Sequence, residues 1–186
     1  MNSDRRRWDD RYRDANAPLA RPPEAVAGVE RLESLIPHSG VALDVACGTG
    51  AQTLWLARRG LSVIALDVSA LAIEVIGRAA QPLELGSRVD ARVVDLDTGL
   101  PGDVADVDLV VCQRFWQPPL YEAMVRVLRP GGLGIVTVLS SVGLEREAGS
   151  FHAPPGDLSE AFDRTDVEIL LDTEERGLAS VVYRRR

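Results

Sequence analysis

The chain has 186 residues, 46% of them hydrophobic, and a formal charge of −7. That length and apolar content suit one domain with a core of its own, residues 1–186, and exclude two full domains. The negative balance, with no dominating basic patch, argues against a nucleic-acid binder, and no apolar run reaches the roughly 18–20 residues of a membrane helix.

Residues 1–21 read as an N-terminal arm ahead of a core, 22–186. A short helix over 8–13 puts Trp8, Arg11 and Tyr12 on one face. Arg5-Arg6-Arg7 and Arg184-Arg185-Arg186 read as solvated ends. Pro22-Pro23 opens a helix with Val26, Val29, Leu32, Leu35 and Ile36 at helical spacing, and Pro37 closes it. His38 follows as a structural residue. An apolar strand then ends in Asp44, and Ala46-Cys47-Gly48-Thr49-Gly50 leads into a helix over 51–59 with Gly60 as its C-terminal cap. A second strand ends in Asp67, and Ser69 caps a helix to about residue 80. A third strand, 89–94, ends in Asp95, and a fourth, 107–112, ends near Gln113. A helix over 120–128 stops at Pro130-Gly131-Gly132. Strand 133–139, a long Ser-, Gly- and Pro-rich segment 140–156, a helix over 158–162 and strands 167–171 and 179–183 complete the chain, the last two joined at Gly177. This alternation predicts a parallel α/β sheet with helices on both faces and right-handed crossovers.

Ligands of such sheets bind at the C-terminal ends of the strands. Here that edge carries a glycine-rich loop and three acids, Asp44, Asp67 and Asp95. Glycine lets a ligand approach the backbone closely, and an acid at the end of the second strand accepts both hydroxyls of a ribose. A dinucleotide fingerprint fits poorly: counted from Gly48, its third glycine position falls on Thr53. A carboxylate beside the loop repels a pyrophosphate but pairs with an ammonium group. S-adenosylmethionine has an amino group, a sulfonium charge and no phosphate, so the acidic edge suits it better than NAD.

Ala42-Leu43-Asp44-Val45-Ala46-Cys47-Gly48-Thr49-Gly50 resembles the first motif of the class I S-adenosylmethionine-dependent methyltransferases, and Val63-Ile64-Ala65-Leu66-Asp67 resembles their second. Trp8-Asp9-Asp10-Arg11-Tyr12 with Pro22-Pro23-Glu24, and then Gln113-Arg114-Phe115, Leu128-Arg129-Pro130-Gly131-Gly132 and Pro155-Gly156-Asp157-Leu158, resemble the small tellurite-resistance-like and thiopurine-like branch. The resemblance implies a three-layer, doubly wound, Rossmann-like sheet of seven strands, mostly parallel with the last antiparallel. Ala46 departs from the glycine that many members carry.

The cofactor candidates are Asp44, Ala46, Cys47, Gly48, Gly50, Asp67, Val68, Asp95, Leu96, Gln113, Trp8 and Tyr12. Asp44 either orients the methionine end of the cofactor, through its ammonium group or the loop amides, or faces a helix dipole. Asp67 either binds ribose or caps the Asp-Val-Ser turn. Asp95 accepts from the adenine amino group with Leu96 on the ring, in competition with Asp97. Trp8 and Tyr12 either close over the sulfonium or pack the arm onto the domain. On the acceptor side stand Arg114, Phe115 and His152, the last as an acid–base candidate. Gln113-Arg114-Phe115 is not the Asn/Asp-Pro-Pro-Tyr/Phe motif of base-methylating enzymes. No metal constellation appears, and no general base is assigned.

The expectation is a methyltransferase acting on a small-molecule acceptor through an O, S, N or metalloid nucleophile. The partners expected are that acceptor alone, with no nucleic acid and no membrane, in a monomer or homodimer. The charged start and the lack of a disulfide framework (Cys47 and Cys112 only) suggest the cytoplasm. The alternatives are a non-catalytic S-adenosylmethionine-binding or regulatory module and an NAD-binding oxidoreductase.

Overall fold

The computed structural model describes residues 3–13, 19–23, 29–144 and 149–186. Glu24 and Val26 of the expected second helix, residues 14–18 of the arm and residues 145–148 of the long segment lie outside the described residues. The chain groups into two compact units: Met1–Pro22 with Pro37–Pro101, and Pro23–Ile36 with Gly102–Arg186.

The first unit holds helix α1 (Ser3–Tyr12) and strands β1 (Val41–Val45), β2 (Ser62–Asp67) and β3 (Val89–Val93). β1 pairs with β2 and β2 with β3, both in parallel. Helix α3 (Ala51–Arg59) links β1 to β2, and α4 (Ala70–Ala80) links β2 to β3. β1 is buried from Ala42 to Val45, as expected of a parallel strand covered on both faces. The expected punctuation is present. Gly60 ends α3 in the left-handed region and donates its N–H to Ala57 O and Leu56 O. Ser69 caps α4 by accepting from Ala72 N at 3.1 Å.

The second unit holds α2 (Val29–Leu35), β4 (Val107–Gln113), α5 (Pro118–Val127), β5 (Leu128–Ser140), the two-residue β6 (His152–Ala153), α6 (Asp157–Ala161), β7 (Val167–Glu175) and β8 (Leu178–Arg185). β4–β5 and β5–β6 are parallel; β5–β8 and β7–β8 are antiparallel. Among the described residues the strand set is therefore mostly parallel, with seven full strands and antiparallel pairings confined to β8, the Rossmann-like α/β class expected.

Several details differ from the sequence reading: the first helix starts at Ser3 and not at 8, so Arg5-Arg6-Arg7 is part of α1 and not a solvated end, and β6 lies in the segment read as a loop. Helix α5 starts on the two prolines, whose missing N–H groups cost nothing in a first turn. β5 starts at Leu128, not at 133, because Leu128 pairs with Val107 before Leu133 pairs with Leu109. The Arg-Pro-Gly-Gly segment is the bulge between those pairs, and Arg129 Nε holds it by donating to Asp108 Oδ1 at 2.5 Å. β7 extends to Glu175, its polar half paired residue by residue with β8. Arg184-Arg185-Arg186 is not a solvated tail: Arg184 and Arg185 belong to β8. Arg185 Nη1 donates to Arg126 O and Leu128 O, and Arg186 Nη1 donates to Thr165 O. A guanidinium at the C-terminal end of α5 satisfies its last carbonyls.

The core of the second unit is built around Tyr183, fully buried and stacked on Phe162 with ring centroids 4.6 Å apart. Tyr183 lies across Gly134 of the neighbouring strand, and a Cβ at Gly134 would fall 2.0 Å from the ring. Gly134→Ala must therefore displace a buried aromatic. The expected outcome is a loss of about 2 kcal/mol, read as a melting temperature lower by about 4–8 °C in a thermal scan.

Candidate functional site

The first unit assembles most of the candidate cofactor residues around the turn after β1. Leu43, Val45 and their neighbours bury β1, so Asp44 is carried inside with them and is 1% exposed. Its carboxylate accepts from the Thr53 hydroxyl on α3 at 2.6 Å. Burial pushes the Asp44 carboxyl up to about 7. The Thr53 hydrogen bond opposes that shift, and the neighbouring Asp67 charge adds to it.

Asp67, at the end of β2, uses both carboxylate oxygens. Oδ2 accepts from Gly48 N at 2.8 Å and Oδ1 from Ser69 N at 2.9 Å. It thus ties the glycine loop to the start of α4 and fills the turn-capping role. A carboxylate has about four acceptor positions, so two bound amides do not exhaust it. Burial raises its pKa, and the amides from Ser69, Gly48 and Val68 pull the other way. The Cys47 thiol is likewise held well up by burial, and then by Asp44 and Asp67.

The loop backbone is itself unusual. Gly48 lies at φ +54°, a region L side chains adopt at a cost of about 1–2 kcal/mol. Ala46, the departure from the family's glycine, also lies at φ +54°. That conformation makes it a strained residue.

Helix α1 docks on this loop. Trp8 and Tyr12 stack at 5.6 Å, and the Arg11 guanidinium sits 5.4 Å from the Trp8 ring centre. The Tyr12 hydroxyl lies against Gly48: a Cβ built there would come within 3.1 Å of it. Burial and then the Asp67 charge hold Tyr12 firmly in its neutral form. Asp95 caps its own 3-10 turn, Leu96–Thr98, by accepting from Asp97 N at 3.1 Å, and Leu96 is buried. Val68 is half-buried between Asp67 and Ser69.

The acceptor-side candidates belong to the second unit. Gln113 ends β4, and its amide donates to Cys112 O at 3.2 Å. Arg114 follows at φ +61°, its N–H donating to Thr137 O at 2.6 Å. Such a conformation on a non-glycine residue marks a position its surroundings over-determine. Phe115 is half-buried, and its carbonyl accepts from the Cys112 thiol at 3.6 Å. His152 lies in β6, with Nδ1 3.0 Å from Gly149 N and 3.1 Å from its carbonyl, so it holds a local turn. An open groove of about 490 Å³ between α6 and β7 is lined by Ser159, Glu160, Asp163, Ile169 and Asp172 and contains none of the candidates.

Three residues of the loop's surroundings escaped the sequence reading. Thr53 entered it only as a failed fingerprint position. Ser69 appeared only as a helix cap. Asp9 appeared only within the Trp8–Tyr12 segment and was given no role of its own, although it stands three residues before Tyr12 and so shares its helical face.

Residues 42–132 match the methyltransferase domain family. A methyltransferase of Mycobacterium tuberculosis is 34% identical over 142 residues, covering 73% of this chain and 54% of that protein. The chain thus spans about half the length of the curated relatives it matches. Among solved structures, TehB from Haemophilus influenzae superposes with a TM-score of 0.72 at 16% identity, over 96% of this chain and 67% of that one. Geranyl diphosphate C-methyltransferase from Streptomyces coelicolor, solved with S-adenosyl-L-homocysteine, gives 0.69 at 14%, over 84% and 77%.

Proposed function

This chain belongs to the class I S-adenosylmethionine-dependent methyltransferases, whose cofactor is S-adenosyl-L-methionine, and we propose that it methylates a small-molecule acceptor. The observation that carries the reading is the convergence of Asp67, Gly48 and Asp44 on one turn: the Gly48 N–H bonds to Asp67 at 2.8 Å, and no side chain stands on Gly48. A loop without a Cβ, flanked by two buried carboxylates, fits a ligand with a ribose and a positive charge.

In this reading the cofactor supplies an activated methyl group. When bound, it would pass that methyl to an O, S, N or metalloid nucleophile of the acceptor and leave as S-adenosyl-L-homocysteine. Asp67 receives the ribose hydroxyls on the acceptor positions its two amides leave open. Asp44, ionised, faces the ammonium group. Asp95 and Leu96 hold the adenine, and Trp8 and Tyr12 exclude water. Gln113, Arg114, Phe115 and His152 belong to the acceptor side. Transfer of this kind depends mainly on alignment and desolvation, so no general base is assigned. A small acceptor is favoured by the acidic composition and by the geranyl diphosphate enzyme among the neighbours. The proposal extends to one domain over 1–186, acting in the cytoplasm as a monomer or homodimer without nucleic acid. No described helix is long and apolar enough to cross a membrane.

Isothermal titration tests the site. S-adenosylmethionine or S-adenosylhomocysteine should bind far more tightly than NAD. Asp67→Ala deletes two charge-assisted hydrogen bonds of roughly 1.5–3 kcal/mol each, so affinity should fall about a hundredfold or more. A folded Asp67→Ala variant with unchanged affinity would sink the ribose assignment. Mass spectrometry of products from a metabolite extract given methyl-labelled cofactor then identifies the acceptor. Binding without any labelled product would leave a regulatory module in its place.

A further inference from the structure

The contact that fixes α1 lies at the start of α4, some sixty residues away in sequence. Ser69 Oγ donates to Asp9 Oδ1 at 2.6 Å, and Leu71 N donates to the same oxygen at 3.4 Å. At the same time Ser69 Oγ accepts from Ala72 N. A hydroxyl both donates and accepts, so the N–H of Ala72, the Ser69 hydroxyl and the Asp9 carboxylate form one continuous chain of hydrogen bonds. Asp9 thereby completes the cap of an eleven-residue helix from outside it and places a negative charge at that helix's positive end. On its other flank Arg5 Nε stands 3.9 Å from Asp9 Oδ2.

The geometry has a second consequence. Asp9 and Tyr12 lie three residues apart on one face of α1. Ser69 N donates to Asp67, and Asp67 accepts from Gly48 N. One clasp at Asp9 therefore sets Tyr12 against Gly48 and joins the arm to the Asp67 network.

We infer that Asp9 is a positioning residue: by clasping α1 onto the N-terminus of α4 it seats Tyr12 over the glycine loop, and this clasp sets how long the cofactor stays bound. The inference rests on the cofactor reading above. The step it controls is cofactor release, not methyl transfer itself. Binding and product release then require α1 to lift, a loop-gating event of the kind that limits turnover in many enzymes.

The test uses the full chain as wild type, Asp9→Ala and Asp9→Asn. Asparagine keeps an oxygen that accepts from Ser69 and Leu71; alanine does not. Hydrogen exchange over residues 3–12, with no ligand added, should rise at least tenfold in Asp9→Ala and return close to wild type in Asp9→Asn. The dissociation rate of S-adenosylhomocysteine, measured by surface plasmon resonance, should rise about tenfold in Asp9→Ala with a much smaller change in the association rate, and Asp9→Asn should restore slow release. Unchanged exchange in Asp9→Ala overturns the clasp. Faster exchange with unchanged release of S-adenosylhomocysteine overturns the gate. No binding of S-adenosylhomocysteine to the wild-type protein overturns the cofactor reading and the gate with it, and wild-type exchange over residues 3–12 still separates that failure from failure of the clasp.

Discussion

Gly48→Val should abolish cofactor binding, raising the dissociation constant of S-adenosylhomocysteine by at least about a hundredfold, or roughly 2.7 kcal/mol. Three features of the position combine. Its φ of +54° is open to glycine and strained for a β-branched residue. Its Cβ would meet the Tyr12 hydroxyl at 3.1 Å, so valine's branches must push α1 away. Its N–H is held by Asp67, so a shift of the backbone also disturbs the acid proposed to bind ribose. The cost to folding should be smaller, about 1–2 kcal/mol, because α1 can move without opening the sheet. Urea denaturation and titration of the same sample separate the two effects. A variant that unfolds readily yet binds normally while folded reduces Gly48 to a turn residue.

The parts of this molecule that local sequence signals specify were legible, and the long-range ones were not. β1 and β2 were visible as apolar runs ending in Asp44 and Asp67, and Gly60 and Ser69 marked the helix ends through chemistry that needs only neighbouring residues. The start of β5 was misread because proline and two glycines look like a break, whereas pairing of Leu128 with Val107 makes them a bulge. Arg185 looked like a solvated charge because the carbonyls it binds, at Arg126 and Leu128, lie nearly sixty residues earlier. The same limit hid the Asp9–Ser69 contact. In the candidate site the residue types were readable while their partners were not: Asp44 was visible, but its bond to Thr53 crosses from a strand to a helix. Ala46 shows the limit in one residue, since its composition signals little and its φ of +54° signals strain.

Asp44→Asn should stabilise the protein at pH 8 and weaken its hold on the cofactor at the same pH. Burial lifts the Asp44 carboxyl from an ordinary value near 3.8 to about 7 in the folded protein. The folded chain therefore binds more protons than the unfolded chain between those values, and stability falls as pH rises through that window. The protonated form's contribution is complete below about 4 and is lost by the time the pH passes about 7. At 1.36 kcal/mol per unit the full effect is about 4 kcal/mol. Asparagine carries no charge to bury, and its carbonyl still accepts from Thr53. The variant should thus match wild type near pH 4 and exceed it by a few kcal/mol at pH 8 in urea denaturation, the relief of the neighbouring Asp67 and Cys47 from the Asp44 charge acting in the same direction. Cofactor binding should show the opposite preference. An ammonium group pairs with the ionised carboxylate, so wild-type affinity should weaken about tenfold per unit as pH drops below 7, and Asp44→Asn should flatten that dependence at the weak end. Equal stabilities of the two proteins at pH 8 would show that Asp44 carries no burial penalty. A pH-independent affinity in the wild-type protein would remove Asp44 from the ammonium site and leave it as the strand-end partner of Thr53.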